Sequence, residues 1–277
     1  MSNLIGISGK QGVGKDTVAK MIQYLTTDWH KQFSEYTVQK SRKMKILPFQ
    51  ETMESTDRFL DSAWNIKKMG YKLKQITSIL LNVPVEKFED QEYKKETLPE
   101  QWWYWYCDGD KFGTEEKAKE HSDLLWSEEG WDAPVELIKP TVRQLLQEIG
   151  TEAMRDNIHP HIWSNALFAE WKPQTIVRDG QEYRGLEFPK WIITDIRFPN
   201  EAKAIKDRGG VLIRVNRTYD NLFHNMIGTD ATTWKAPSTH PSETSLDNYK
   251  DWDYVIDNDG SLEDLFEKVK EIYESIN

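Results

Sequence analysis

The sequence predicts an α/β fold, a parallel sheet with helices on both faces. Three observations predict it. The apolar run Leu4–Ile7 leads into a glycine loop and then into apolar residues at helical spacing. The run Lys190–Asp195 (KWIITD) is short, apolar and ends in an acid, which suits a strand buried on both faces. Around these, strand and helix patterns alternate along the chain, as parallel sheets with crossover helices require.

The first strand is Leu4–Ile7. Gly9 to Thr17 then reads GKQGVGKDT. This fits the phosphate-binding loop G-x-x-x-x-G-K-[ST] at every fixed position except the last, where Asp16 stands with Thr17 one step later. Gly9, Lys10, Gln11, Gly12, Val13 and Gly14 would turn backbone N–H groups toward a polyphosphate, with the Lys15 ammonium by the transferable phosphate. The helix that follows points its positive end at the same anion. Only 15 of 277 residues are glycine, so a chance match in a glycine-rich chain is a poor explanation. Val18, Ile22, Leu25 and Trp29 mark the inner face of that helix. The bland alternative is a glycine turn beside a surface lysine; the strand and helix on either side favour a nucleoside triphosphate site.

Next comes a polar stretch, Lys31 to Lys45, with strand character at Tyr36–Gln39 and Lys45–Phe49. Met69, Leu73, Ile76 and Leu80 share one stripe of a helix that Asn82-Val83-Pro84 ends. Phe88 to Glu96 reads as a charged loop or helix start. Residues 98–139 look like an insertion: an aromatic run at Trp102–Cys107, a turn at Asp108-Gly109-Asp110, and an amphipathic helix at Thr114–Trp126. Several of the 12 tryptophans fall between Trp102 and Trp131, where packing of the insertion is the favoured reading and an aromatic platform for a base the sharper one.

Thr141 and Gln144 form a capping-box pattern, opening a helix with Val142, Leu145, Leu146 and Ile149 inward. After the Lys190–Asp195 strand, Asn200 is expected to cap a helix that ends at Gly209-Gly210. Val211–Val215 is the next strand and Asp253–Ile256 the last. Asp257–Gly260 is a turn, and Ser261 caps a final helix whose Leu262, Leu265, Phe266, Val269 and Ile272 face inward.

The length allows one large core, or one core with a small satellite. Charged residues make up 30% and mean hydropathy is −0.72, so the surface is well solvated. No apolar run approaches the ~20 residues that span a bilayer. The opening MSNLIGISGK lacks the basic and long apolar stretches of a secretory leader, so cytoplasm is the expected compartment. A lone Cys107 excludes an internal disulfide framework and a Cys-rich zinc site. A net charge of −10 argues against nucleic-acid polymers but not against small nucleotides, which local cations can hold.

Three further groups bear chemistry. Asp195 ends an apolar strand at the sheet edge where open α/β folds bind ligands, and beside a phosphate loop such an acid can hold Mg²⁺. Two residues on, Arg197 is either an exposed turn residue or a fork for a second phosphate. Arg143 and Arg155 offer cations that phosphoryl transfer needs on donor and acceptor. Twelve residues of unbroken helix would rotate the two apart, so a break near Gly150 is expected if they share a cleft. His159-Pro160-His161 lacks a third ligand and reads as surface, and His240 with Glu243 reads as loop.

GKQGVGKDT at 9–17, TVRQLLQEIGTEAMRD at 141–156, TDIRFPNEA at 194–202, THPSE at 239–243 and DNDGSLEDLFEKV at 257–269 occur in one order across the chain. Together they resemble bacteriophage deoxynucleoside monophosphate kinases. The resemblance implies a nucleoside-monophosphate-kinase-like three-layer fold with a lid at about 217–243, in a chain read as a single domain over 1–277; the insertion at about 98–139 and the stretch 31–62 match the pattern poorly. It implies ATP and Mg²⁺, a deoxynucleoside 5′-monophosphate as acceptor, and the host cytoplasm as location. It leaves a homodimer open. Carried over residue by residue, Lys15 and the loop would cradle ATP, while Asp16 or Thr17, with Asp195, would order Mg²⁺. Arg143 and Arg197 would hold phosphates. Lys95 stands where a substrate-facing arginine is usual, which keeps the charge and loses the fork. Glu201 matches an acid near the substrate, and His240 and Glu243 fall in a matching segment. Asn258 to Ser261, Gly260 included, would lie near the adenine. A small-metabolite kinase of the dephospho-coenzyme A or phosphomevalonate type is the nearer rival, and an ATP-hydrolysing motor or switch the farther one.

Overall fold

A computed structural model describes residues 2–27, 62–178, 181–218 and 241–276. The expected strands at Tyr36–Gln39 and Lys45–Phe49, Trp29, and most of the expected lid lie outside the described residues. The strands, in chain order, are β1 (Leu4–Ser8) and β2 (Trp64–Lys67), then β3 (Tyr104–Cys107), β4 (Asp110–Phe112) and β5 (Glu136–Ile138). They continue with β6 (Gln174–Arg178), β7 (Gln181–Glu187), β8 (Lys190–Ile196), β9 (Val211–Asn216) and β10 (Tyr254–Asp257). The chain divides into two compact units, Met1–Met69 with Trp163–Asn277, and Gly70–Ile162.

The first unit is built on a five-stranded sheet in the order β10-β9-β1-β8-β2, with every neighbouring pair parallel. Its strands are apolar on both sides because helices cover both. Ile5, Ile7, Ile192 and Ile213 pack toward the helices Lys15–Thr26 and Leu262–Ile276, among Val18, Ile22, Leu265 and Phe266. Leu4, Ile193 and Leu212 pack on the opposite side among Ala202, Ile205 and Leu167. Residue alternation along each strand separates these two cores. At Gly6 a Cβ would stand 2.4 Å from Ile196 Cδ1 and 2.7 Å from Ile205 Cδ1, so the helix Pro199–Lys206 lies close to β1 only because that position carries no side chain.

The helix Pro199–Lys206 corrects two expectations. Its N-cap is Phe198, in extended conformation, and Asn200 falls inside the first turn. Pro199 at the first helical position explains the shift, since its fixed φ suits that site and its missing N–H is not needed there. The helix ends at Lys206 with Asp207 as its C-cap, before the expected Gly209-Gly210, and Gly209 at φ +71° lies in the turn that follows. The last helix is opened by Ser261: its Oγ accepts from the Asp264 N–H at 3.1 Å, while Asp264 Oδ2 accepts from the Ser261 N–H at 2.9 Å.

In the second unit, β3 pairs antiparallel with β4 and with β5. Asp108 and Gly109, at φ 44° and 95°, make the hairpin turn, both in the left-handed region that a two-residue hairpin favours. The helix Glu115–Glu129 begins at Thr114 and covers Cys107, Ala118 and Ala133, with Trp105 and Phe112 at the edge of that cluster. Trp102 packs beside Phe88 and Leu98, and Trp103 Nε1 donates to Leu98 O at 2.7 Å. These tryptophans are packing residues, whereas Trp126 is 62% exposed. The helix expected over 69–81 starts at Tyr71; Met69 precedes it, and Leu80 at its far end is 49% exposed.

The Thr141 capping box is present: Thr141 Oγ1 accepts from the Gln144 N–H at 3.3 Å, and Gln144 Oε1 accepts from the Thr141 N–H at 2.7 Å. The helix Val142–Gln147 does not break at Gly150; it widens into π-helical winding over Glu148–Asp156. A Cβ at Gly150 would meet Leu73 Cδ2 at 2.7 Å, so a larger residue there would have to displace that leucine side chain.

Candidate active site

The carboxyl edge of the five-stranded sheet gathers the residues that can bind phosphate. The strand order turns back on either side of β1, so the loop after β1 sits at the point where open α/β sheets accept ligands. At Gly9 a Cβ would lie 2.4 Å from the carbonyl oxygen of Val215, so only glycine lets the loop pass β9 this closely. Gly12 at φ 80° and Gly14 at φ 99° take left-handed backbone, and Gly14 is the N-cap of the helix Lys15–Thr26. The helix therefore starts inside the loop and directs its N–H groups into it.

Lys15 is the first helical residue, and its Nζ donates to Gly9 O at 2.8 Å and Lys10 O at 2.6 Å. The ammonium thus lies against the loop backbone. Lys10 forms an ion pair with Asp247. Gln11 and Asp16 are exposed, and Thr17 is half-buried. Val13 belongs to the core and anchors the loop from beneath. Asn258, only 8% exposed, donates from Nδ2 to Val13 O at 2.9 Å, and its backbone N–H donates to Asn216 O at 2.8 Å. Gly260 leaves room for the Asp264 carboxylate, which a Cβ would approach to 2.6 Å.

The end of β8 lies beside the loop, with Ile196 in register with Ser8. Asp195 Oδ1 accepts the Met69 N–H at 2.6 Å, which ties the carboxylate to the end of β2. Arg197 is exposed, and its backbone is fixed from below. Glu201, 3% exposed, accepts the N–H of Arg197 at 2.9 Å and of Phe198 at 3.2 Å on one oxygen, Oε2. The acid thus caps its own helix and sets the turn that presents Arg197.

Arg214 was not singled out in the sequence. It lies on β9 among apolar neighbours, half-buried, with Nη1 donating to Ser8 Oγ at 3.3 Å and Nε to Asn216 Oδ1 at 3.2 Å. Burial pulls its pKa below the ordinary arginine value, and the nearby Asp247 opposes that shift. The signal available was a cation inside the apolar run VLIRV, since arginine is seldom buried without a partner.

The second unit holds the other expected cations. Arg143 Nη2 donates to Gln91 Oε1 at 3.0 Å. Lys95 is exposed and pairs with Glu92 at 2.6 Å. Arg155 is 9% exposed, within the π-helical segment. In α-helix, twelve residues leave a net rotation of about 120°. The i→i+5 winding turns less per residue and so reduces the angle between Arg143 and Arg155. His159 and His161 lie with ring centroids 5.7 Å apart, and His159 Nδ1 accepts the His161 N–H. His240 and the side chain of Glu243 lie outside the described residues.

Among the described residues, no group of three or more His, Cys, Asp or Glu gathers as a metal cage. That donor set still fits Mg²⁺, which takes one or two protein oxygens and completes its shell with phosphate and water. Asp195 and either Asp16 or Thr17 supply oxygen donors of that kind. No described helix is long and apolar enough to cross a membrane.

Comparison with known proteins finds deoxynucleotide monophosphate kinases. A deoxynucleoside-5′-monophosphate kinase of Escherichia phage T5 is 26% identical over 259 residues, covering 89% of this chain and 86% of that protein. An Acanthamoeba polyphaga mimivirus protein, named provisionally as a deoxynucleotide monophosphate kinase, is 30% identical over 135 residues, covering 47% of this chain and 59% of that protein. The deoxynucleotide monophosphate kinase of Enterobacteria phage T4 is 29% identical over 130 residues, 47% of this chain and 44% of its own. The chain thus spans most of the T5 relative but only about half the length of the other two. The family model for deoxynucleotide monophosphate kinase matches residues 131–269, half of the chain, and takes in Arg143, Asp195, Arg197 and Asn258. The chain belongs to the deoxynucleotide monophosphate kinase family.

Proposed function

We propose that the protein transfers the γ-phosphoryl group of ATP to a deoxynucleoside 5′-monophosphate, giving the diphosphate and ADP for DNA synthesis. The observation that carries this reading is one sheet edge holding a glycine loop, Lys15, Asp195 and Arg197, in a chain of this family. An oxygen of the acceptor phosphate forms the new bond to the γ-phosphorus, and the bond from that phosphorus to the β–γ bridging oxygen breaks. The acceptor phosphate is already ionised, so no strong general base is needed. Catalysis rests on alignment and charge neutralisation.

In this reading the loop N–H groups, from Gly9 to Gly14, and Lys15 hold the ATP phosphates. Asp195, with Asp16 or Thr17, holds Mg²⁺, which neutralises charge on the phosphates when bound. Arg197 and Arg143 bind phosphate as cations. Lys95, Arg155, Glu201, His240 and Glu243 belong to the acceptor side. Residues 217–243 close over the site and exclude water, which would otherwise take the phosphoryl group. ADP release, followed in a coupled assay with each deoxynucleoside monophosphate and with none, tests the reading. Turnover should require an acceptor; steady ATP hydrolysis unaffected by any acceptor would overturn it.

A further inference from the structure

The geometry points to Asn258 as the residue that orients the phosphate loop. We infer that it sets the Val13–Gly14 peptide so that an N–H faces the polyphosphate. The inference rests on the loop being a triphosphate site and concerns what holds it in shape. Asn258 follows β10 and is 245 positions from the carbonyl it serves, Val13 O, to which its Nδ2 donates at 2.9 Å. The side chain is more than nine-tenths buried. Its backbone is fixed as well, since its N–H donates to Asn216 O at 2.8 Å, at the end of β9.

A trans peptide is planar, with its C=O and N–H pointing in opposite directions. Holding the Val13 carbonyl on Asn258 therefore turns the N–H of Gly14, which shares that peptide, away from Asn258. Gly14 is the N-cap of the helix Lys15–Thr26, so this N–H belongs to the helix start that the loop forms. The contact is close: a Cβ on Gly14 would come within 2.7 Å of Asn258 Nδ2. Without the amide, this peptide is free to present a carbonyl oxygen where an anion needs a donor. A side chain this buried, with its nitrogen committed to Val13, has little edge left for reading a base. Asn258 is thus a positioning residue acting through the loop, in contrast to the adenine neighbourhood that the family resemblance implies.

The test separates phosphate binding from base binding. Titration calorimetry with Mg²⁺-tripolyphosphate and with adenosine is run on the unmodified protein, on Asn258→Leu and on Asn258→Ala. Both substitutions are neutral, so neither adds charge beside the anion. The expected result is at least tenfold weaker tripolyphosphate binding in each variant, with adenosine binding unchanged. Weakened adenosine binding with intact tripolyphosphate binding would overturn the inference, and so would an equal loss of both. A second measurement needs no variant: in the ¹⁵N-labelled unmodified protein, the Gly14 amide should shift on adding tripolyphosphate. A Gly14 resonance that stays put while other loop amides move contradicts the inference. If the unmodified protein binds no tripolyphosphate, the triphosphate reading of the loop fails first.

Discussion

Lys15 and Arg197 sit at the same sheet edge but are held in different ways. The Lys15 ammonium lies on two loop carbonyls, Gly9 O and Lys10 O, where a phosphate can replace them as its partner. Lys15→Ala removes the cation that the proposed transfer sets by the transferred group. It is expected to lower the transfer rate by about a thousandfold or more, the scale for losing a key charge-stabilising group. Far-UV circular dichroism should be unchanged, and a variant with most of its activity would remove Lys15 from the mechanism. Arg197 is held through its backbone by a buried carboxylate, and the residue is exposed. Arg197→Ala should raise KM for the monophosphate and leave KM for ATP nearly unchanged. The reverse pattern would exchange the donor and acceptor sides.

At the scale of elements, two helix starts are held by carboxylates. Glu201 satisfies two N–H groups at the start of the helix Pro199–Lys206, and it does so while almost fully buried. Glu201→Ala should cost about 1–3 kcal/mol in urea unfolding, the range for leaving buried donors unsatisfied. At the last helix, hydrogen bonds from the backbone N–H and hydroxyl of Ser261 hold the Asp264 carboxyl below its ordinary range. A depressed carboxyl stabilises the fold above its unfolded pKa and loses that contribution as pH falls through the folded pKa. Ser261→Ala keeps the backbone N–H, the larger cause, and removes the hydroxyl, so it should move the Asp264 titration part of the way up toward the ordinary carboxylate value, read by NMR; an unmoved titration would mean that the hydroxyl adds nothing to the backbone bond.

Elements with local signals were legible in the sequence. The loop, the Thr141 box, the Lys190–Asp195 strand and the Ser261 helix each declare themselves within a few residues. β2 did not: it is only four residues long, with Trp64 alone fully buried, and it forms by pairing with β8, more than a hundred positions away. β5 is three residues long and exists through β3. The π-helical winding over Glu148–Asp156 was not legible, because residue spacing does not report how many residues each turn contains. The turn at Asp257–Gly260 was legible, but not the bond from Asn258 to Val13, since nothing in DNDG reports a carbonyl at the other end of the chain.

For the molecule as a whole, the acidic balance and the phosphate chemistry are compatible because the cations are local. Net charge is −10, yet Lys15, Arg197 and Arg214 lie at one sheet edge. The strand order places the loop at a turning point of the topology, with β8 on one side and β9 on the other, so residues far apart in sequence meet there. A motor or switch could share the loop; a kinase must pass the phosphoryl group to an acceptor. The most direct measurement follows that group. With ATP labelled at the γ-phosphorus and a deoxynucleoside monophosphate present, the label should appear in the deoxynucleoside diphosphate. Label found only in inorganic phosphate, with every deoxynucleoside monophosphate tried, would contradict the account.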